Sequence, residues 1–206
     1  FPTRRSSDLF TPAWVVRKMV EYVDLDIHTR SLELTCGEAP FLVSRYDATT
    51  GEPIAIGERA GVLDRKLRLV NTRKLSDEEW LMQVRQAFQS TYGYEYQGDN
   101  LLIARINLLS TYVEYMEARL NRKPTKNELK SIANIIVWNF WQMDGFTCTI
   151  PYAEPESEEP EQFSMEGFFD TIIEEEPKNI KPICLIRDWR ETGDGGKAHK
   201  FTELKR

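Results

Sequence analysis

Residues 32–42, Leu-Glu-Leu-Thr-Cys-Gly-Glu-Ala-Pro-Phe-Leu, constrain the fold more than any other stretch. They read as a short apolar strand, a tight turn at Gly37 and the start of a helix. A glycine there lets the backbone turn sharply and approach a ligand, because no Cβ stands in the way. A helix following directly would aim its unpaired N–H groups and positive dipole end into the same space. Glu33 would sit beside that loop, at the end of the strand. In an open α/β sheet this is where a nucleotide-like ligand binds. A lone glycine after a strand is more often only a turn, so its surroundings have to decide.

The chain has 206 residues, enough for one α/β domain with a sizeable core. It is 41% hydrophobic and 29% charged, as expected of a globular protein. No apolar run approaches membrane-spanning length, and no secretory signal pattern is present. The three cysteines, Cys36, Cys148 and Cys184, are odd in number and far apart. They fit reduced thiols in a cytoplasm better than a disulfide framework. With only His28 and His199, and no close cysteine pair, the composition argues against a structural zinc site. The net charge of −6 does not attract nucleic acid in bulk, so any DNA contact must come from a local patch.

Residues 1–9 resemble a translated sequencing adapter, and the native chain is expected to begin upstream of Phe10. Thr11 can cap a helix and Pro12 suits its first position, with Val16, Met19, Val20 and Val23 at helical spacing. Residues 31–34 form a strand, a helix is expected to about Tyr46, and residues 47–53 form a turn cluster. Residues 54–75 read as an insertion. Arg59, Arg65, Lys66, Arg68, Arg73 and Lys74 against the single acid Asp64 predict an amphipathic helix with a basic face, either solvated or in contact with phosphate. Ser76–Glu79 and Thr125–Glu128 are capping boxes opening two helices. Residues 91–96 alternate as a strand ending near Glu95. Residues 99–121 form a long helix with Leu102, Ile106, Leu109, Val113 and Met116 on one face, on which Arg105 and Asn107 read as structural. Residues 136–140 fit either a strand or a continuing helix. Asp144-Gly145 is a strong turn signal. Residues 151–162 are acidic and proline-bearing and predict a mobile loop, and residues 163–173 a short docking helix. Residues 182–186 predict a buried strand ended by Arg187-Asp188-Trp189. After a Gly-rich turn, residues 198–204 return as an antiparallel edge strand.

Phe10-Thr11-Pro12, Thr35-Cys36-Gly37-Glu38-Ala39-Pro40, Gly93-Tyr94-Glu95, Ala104-Arg105-Ile106-Asn107-Leu108 and Trp138-Asn139-Phe140-Trp141-Gln142-Met143-Asp144-Gly145 occur in this order. Together they resemble the adenine-specific DNA methyltransferases of restriction–modification systems, including the type labelled restriction endonuclease subunit M. The resemblance spans most of residues 10–206. It implies one α/β domain with the Rossmann-like class I methyltransferase fold, a mostly parallel sheet with helices on both faces. It implies S-adenosylmethionine as cofactor, with Thr11 and Pro12 against its methionine end. Glu33, Thr35, Cys36 and Gly37 would form the loop, Glu95 would accept from the ribose hydroxyls, and Asp144 from the adenine amino group. Double-stranded DNA is the implied substrate, and a restriction endonuclease or specificity subunit the implied partner.

The chain departs from the family in two places. It has no Asn/Asp-Pro-Pro-Tyr/Phe tetrapeptide, whose acceptors hold the target amine and whose aromatic stacks on the flipped base. Asp188 and Trp189 are the nearest substitute, although a strand end with a capping aromatic is the commoner meaning of such a pair. Ala39 and Pro40 replace the usual loop glycine, and Pro40 removes one backbone donor. A non-catalytic module that keeps the fold and serves as a DNA-binding or subunit partner is the alternative.

Overall fold

The computed structural model describes residues 10–153, 181–190 and 195–205. The adapter-like leader, most of the acidic stretch, the helix expected over residues 163–173 and part of the Gly-rich turn lie outside them.

The protein is mixed α/β. Strands β1 (Ser31–Leu34), β2 (Thr91–Glu95) and β3 (Phe140–Gln142) form a parallel sheet in the order β1-β2-β3. Parallel neighbours need long crossovers. Helices α2 (Val62–Asn71) and α3 (Asp77–Gln89) supply the first, and α4 (Gly98–Leu120) and α5 (Lys126–Asn139) the second. Helix α1 (Ala13–Glu21) precedes β1, and a separate antiparallel hairpin of β4 (Leu185–Asp188) and β5 (Lys197–Lys200) ends the chain. No helix of the described residues is long and apolar enough to cross a membrane.

Register divides the sheet into two faces, because paired residues of parallel strands point the same way. Leu32, Leu34, Tyr92, Tyr94 and Trp141 share one face. The hairpin side covers its β2 and β3 part, leaving Leu32 and Leu34 exposed: Phe201 packs against the Tyr94 and Trp141 rings, and the Tyr92 hydroxyl donates to the Arg187 carbonyl at 3.0 Å. Ser31, Glu33, Thr91, Gly93, Glu95 and Phe140 share the other face, which α2 and α4 approach through Lys66 and Arg105.

Both capping boxes form as read. The Ser76 hydroxyl accepts from the Glu79 amide and the Thr125 hydroxyl from the Glu128 amide, and each glutamate returns to the backbone of its cap. Helix α5 runs to Asn139 and the strand begins at Phe140, which resolves the open reading of residues 136–140.

Four local expectations are corrected. No helix follows Gly37. Thr35, Gly37 and Ala39 all take left-handed φ, at 55°, 53° and 68°, and a right-handed helix cannot propagate through such alternation. Successive turns replace it, with the Cys36 carbonyl accepting from Ala39 and the Ala39 carbonyl from Leu42 and Val43. Helix α2 is not a basic face either. Lys66 and Asp64 are fully buried and Arg59 nearly so, while Arg65 and Arg68 donate to the carbonyls of Val20 and Arg59. On α4 the buried residues include Leu101, Ala104, Leu108, Tyr112 and Tyr115; of the expected face Met116 is buried with them, whereas Leu102 is 59% and Ile106 53% exposed. That helix is apolar on two sides, so periodicity alone could not choose between them. Thr11 does not cap α1. Pro12 stands at its cap without a side-chain bond, and the Asp47 carboxylate accepts from the Ala13 amide at 2.9 Å.

Candidate functional site at the carboxyl end of the sheet

The turn at residues 35–39 leaves β1 next to the end of β2, and Glu95 joins the two. One carboxylate oxygen of Glu95 accepts from the Gly37 amide at 2.7 Å. The other accepts from the Tyr96 and Gln97 amides, each at 3.0 Å. A carboxylate offers about four acceptor positions, so three are used by backbone and one remains. Glu95 is only 7% exposed.

Glu33 lies on the same sheet face as Glu95, half buried. No described residue gives it a hydrogen bond or an ion pair. Burial pushes its carboxyl up to about 6. Cys36 sits between the two acids. Burial and the charges of Glu95 and Glu33 raise its thiol to about 12, so it is a packed, inert side chain and not a nucleophile.

The absence of a helix after Gly37 changes the electrostatics of this loop. The next helix N-terminus along the chain, that of α2, spends its amides on the loop itself: Val62 donates to the Phe41 carbonyl at 2.8 Å and Leu63 to the Leu42 carbonyl at 2.9 Å. Gly61 permits this approach, since a Cβ there would lie 2.2 Å from the Leu42 carbonyl oxygen. A phosphate cradle needs free amides and a dipole end, and the Gly37 amide is already bonded to Glu95. The loop therefore presents carboxylates, and its chemistry suits a cationic ligand with hydroxyl donors.

Asp144 stands just past the end of β3, which is tied to β2 by the Met143 amide donating to the Glu95 carbonyl at 3.0 Å. Its carboxylate oxygen accepts from the Phe146 amide at 2.9 Å and the Thr147 amide at 3.4 Å, so it shapes its own turn. Gly145 is required there, because a Cβ would lie 2.7 Å from the Tyr94 hydroxyl. Phe146, at the tip of the turn, is fully exposed, and Tyr96 and Tyr152 pack edge to face nearby in the chain.

Thr35, Cys36, Gly37, Glu33, Glu95 and Asp144 thus all stand at the carboxyl ends of the three strands. Thr11 and Pro12 connect to them indirectly: Asp47 holds Ala13, and the adjacent Tyr46 donates to the Glu38 carboxylate at 2.7 Å.

Asp188 and Trp189 are not brought to this end. They line clefts shared with His28, Arg30 and Ser90, which precede β1 and β2, so they sit at the amino end of the sheet. Asp188 is bonded to Arg190 at 2.5 Å and lies 3.7 Å from Arg30, and the Arg190 guanidinium holds its carboxyl down at about 2. The Trp189 ring is buried, and its Nε1 donates to Asn139 at 2.7 Å. A ring packed in this way cannot stack on a base. The sequence reading of this pair as the target-base contact is therefore corrected.

Sequence reasoning passed over Glu38, Arg45, Tyr46 and Glu114, which hold the loop in place. The compact signal was Arg45-Tyr46-Asp47, three hydrogen-bonding side chains in a row shortly after the apolar run Phe41-Leu42-Val43.

No protein family, curated protein or solved structure matches the chain.

Proposed function

We propose that the carboxyl end of this sheet binds S-adenosylmethionine and that the protein methylates adenine in DNA within a restriction–modification system. On this reading the parallel β1-β2-β3 sheet with its helical crossovers belongs to a Rossmann-like class I methyltransferase domain. The observation that carries the proposal is Glu33: a half-buried carboxylate without a partner among the described residues, on the same face as a second carboxylate that grips the Gly37 turn. Leaving such a group unsatisfied costs stability, and a cationic ligand would compensate.

The donor set fits the cofactor. S-adenosylmethionine has a sulfonium and an ammonium but no phosphate, which matches a loop that presents acids and whose Gly37 amide is already bonded. Glu33 would face its cationic part, the remaining acceptor position of Glu95 its ribose hydroxyls, and Asp144 its adenine amino group. The bound cofactor would supply an activated methyl group. The chain's own part would be to orient it and to keep Cys36 protonated and out of the reaction.

One observation favours the second reading, a methyltransferase-like module that binds DNA or a partner subunit without catalysis. Asp188 and Trp189 stand at the opposite end of the sheet, so no acceptor and aromatic are assigned to the target base. Titration calorimetry with S-adenosylmethionine, followed by transfer of labelled methyl to mixed-sequence duplex DNA, separates the two. Binding with label on adenine supports the enzyme, and binding without label supports the module. Failure of the wild-type chain to bind contradicts the enzyme and leaves only a module without the cofactor.

A further inference from the structure

Three consecutive residues after the Gly37 loop reach α4, the loop itself and the start of α1. Arg45 donates from Nε and Nη2 to the two oxygens of Glu114 on α4, at 3.3 and 2.5 Å, and from Nη1 to Asn107 Oδ1 at 3.2 Å. Tyr46 donates to the Glu38 carboxylate at 2.7 Å. Asp47 accepts from Ala13 at the start of α1 at 2.9 Å. Arg59 adds a second guanidinium on Glu114 at 2.6 Å. Asn107 sits in the middle of these contacts and is 5% exposed.

The orientation of Asn107 is determined by its neighbours. Arg45 can only donate, so the amide oxygen must face it. The amide nitrogen then donates to the Glu38 carbonyl and to the Tyr46 hydroxyl, both at 3.0 Å. Glu38 directly follows Gly37, whose amide meets Glu95. A single side chain on α4 therefore holds the Glu38–Ala39 peptide, one residue beyond the turning glycine.

We propose that Asn107 is a positioning residue. By holding the Glu38 carbonyl it aims the Gly37 amide at Glu95, and through Arg45-Tyr46-Asp47 it sets the Thr11–Pro12 segment relative to that turn. Its effect on ligand affinity rests on the S-adenosylmethionine reading above, whereas its effect on the turn does not. Asn107 touches no ligand on this account and acts only through the loop.

The test uses the full chain and two readouts, the amide resonance of Gly37 and the Kd for S-adenosylmethionine. Asn107→Leu removes all three bonds, and Tyr46→Phe removes only the hydroxyl and serves if the leucine variant fails to fold. Both are expected to move the Gly37 amide resonance while leaving that of Trp80 in place. They are expected to weaken binding by about tenfold and about threefold, respectively, at around 1.4 kcal/mol per decade. Ser76→Ala, which breaks a helix cap remote from the loop, is the control: it lowers the melting temperature and leaves both readouts unchanged. An unmoved Gly37 resonance in both variants overturns the proposal. If the wild-type chain does not bind S-adenosylmethionine, the cofactor reading fails, and the Gly37 resonance still decides the role of Asn107.

Discussion

The two ends of the three-stranded sheet are treated differently. At the amino end two buried polar side chains, Lys66 and Asn139, are matched within the chain. The fully buried Lys66 ammonium donates to the Thr29 carbonyl, the Ser90 carbonyl and hydroxyl, and the Thr91 hydroxyl, at 2.6 to 3.2 Å. The buried Asn139 amide donates to the carbonyls of Phe88, Gln89 and Thr91, and its oxygen accepts from Trp189. At the carboxyl end, among the described residues, Glu33 has no partner, Glu95 is held only by backbone amides, and Phe146 stands fully exposed. One end is completed by folding. The other keeps acidic acceptors and apolar surface for something else to use.

The largest effect should come from the completed end. Lys66→Met keeps the bulk but strips the donor from several buried acceptors, and each unsatisfied group is costly. A loss of about 3 kcal/mol is expected from urea unfolding. Burial holds the Lys66 ammonium down at about 8, below its usual value. That shift disfavours folding of the charged form, so the contribution of Lys66 to stability should rise as pH climbs from about 8 towards 10.5, read as the difference between wild type and Lys66→Met at each pH.

Glu95→Gln should come next. Its single amide oxygen cannot serve both the Gly37 amide and the Tyr96–Gln97 pair, and its NH₂ would face another donor. About 2 kcal/mol of stability should be lost, together with binding of S-adenosylmethionine.

These two regions also differ in how legible they were. The strands at residues 31–34 and 91–95, the two capping boxes and the α4 span follow from local signals, and the structure agrees. So does the presence of Gly37, Glu95 and Asp144 at the strand ends. What escaped was decided by distant partners. Lys66 reads as a solvated cation until Ser90 and Thr91 stand over it. The turn after Gly37 reads as a helix until the amino end of α2 takes up the Phe41 and Leu42 carbonyls. Asp188 and Trp189 read as a free pair until Arg190 and Asn139 engage them. The side of α4 that is buried depends on what packs against it, since both sides are apolar.

The smallest stability effect is the most informative. Glu33 has its carboxyl raised from 4.5 to about 6 by burial. A raised acid favours the folded state below its unfolded value and loses that contribution as pH climbs through about 6. At pH 8 the charged Glu33 therefore costs stability, and after allowance for its partial exposure Glu33→Gln should gain about 1 kcal/mol. The same change should weaken S-adenosylmethionine binding at least tenfold. At pH 5, where wild-type Glu33 is mostly protonated, the stability gain should shrink.

The most direct test of the unfinished end is to measure both properties on one variant. Wild type and Glu33→Gln would be compared at pH 8 by thermal unfolding and by calorimetric titration with S-adenosylmethionine. The account predicts a variant that melts higher and binds at least tenfold more weakly. A variant that binds as tightly as wild type, or melts lower, would contradict the assignment of the carboxyl end as a ligand site.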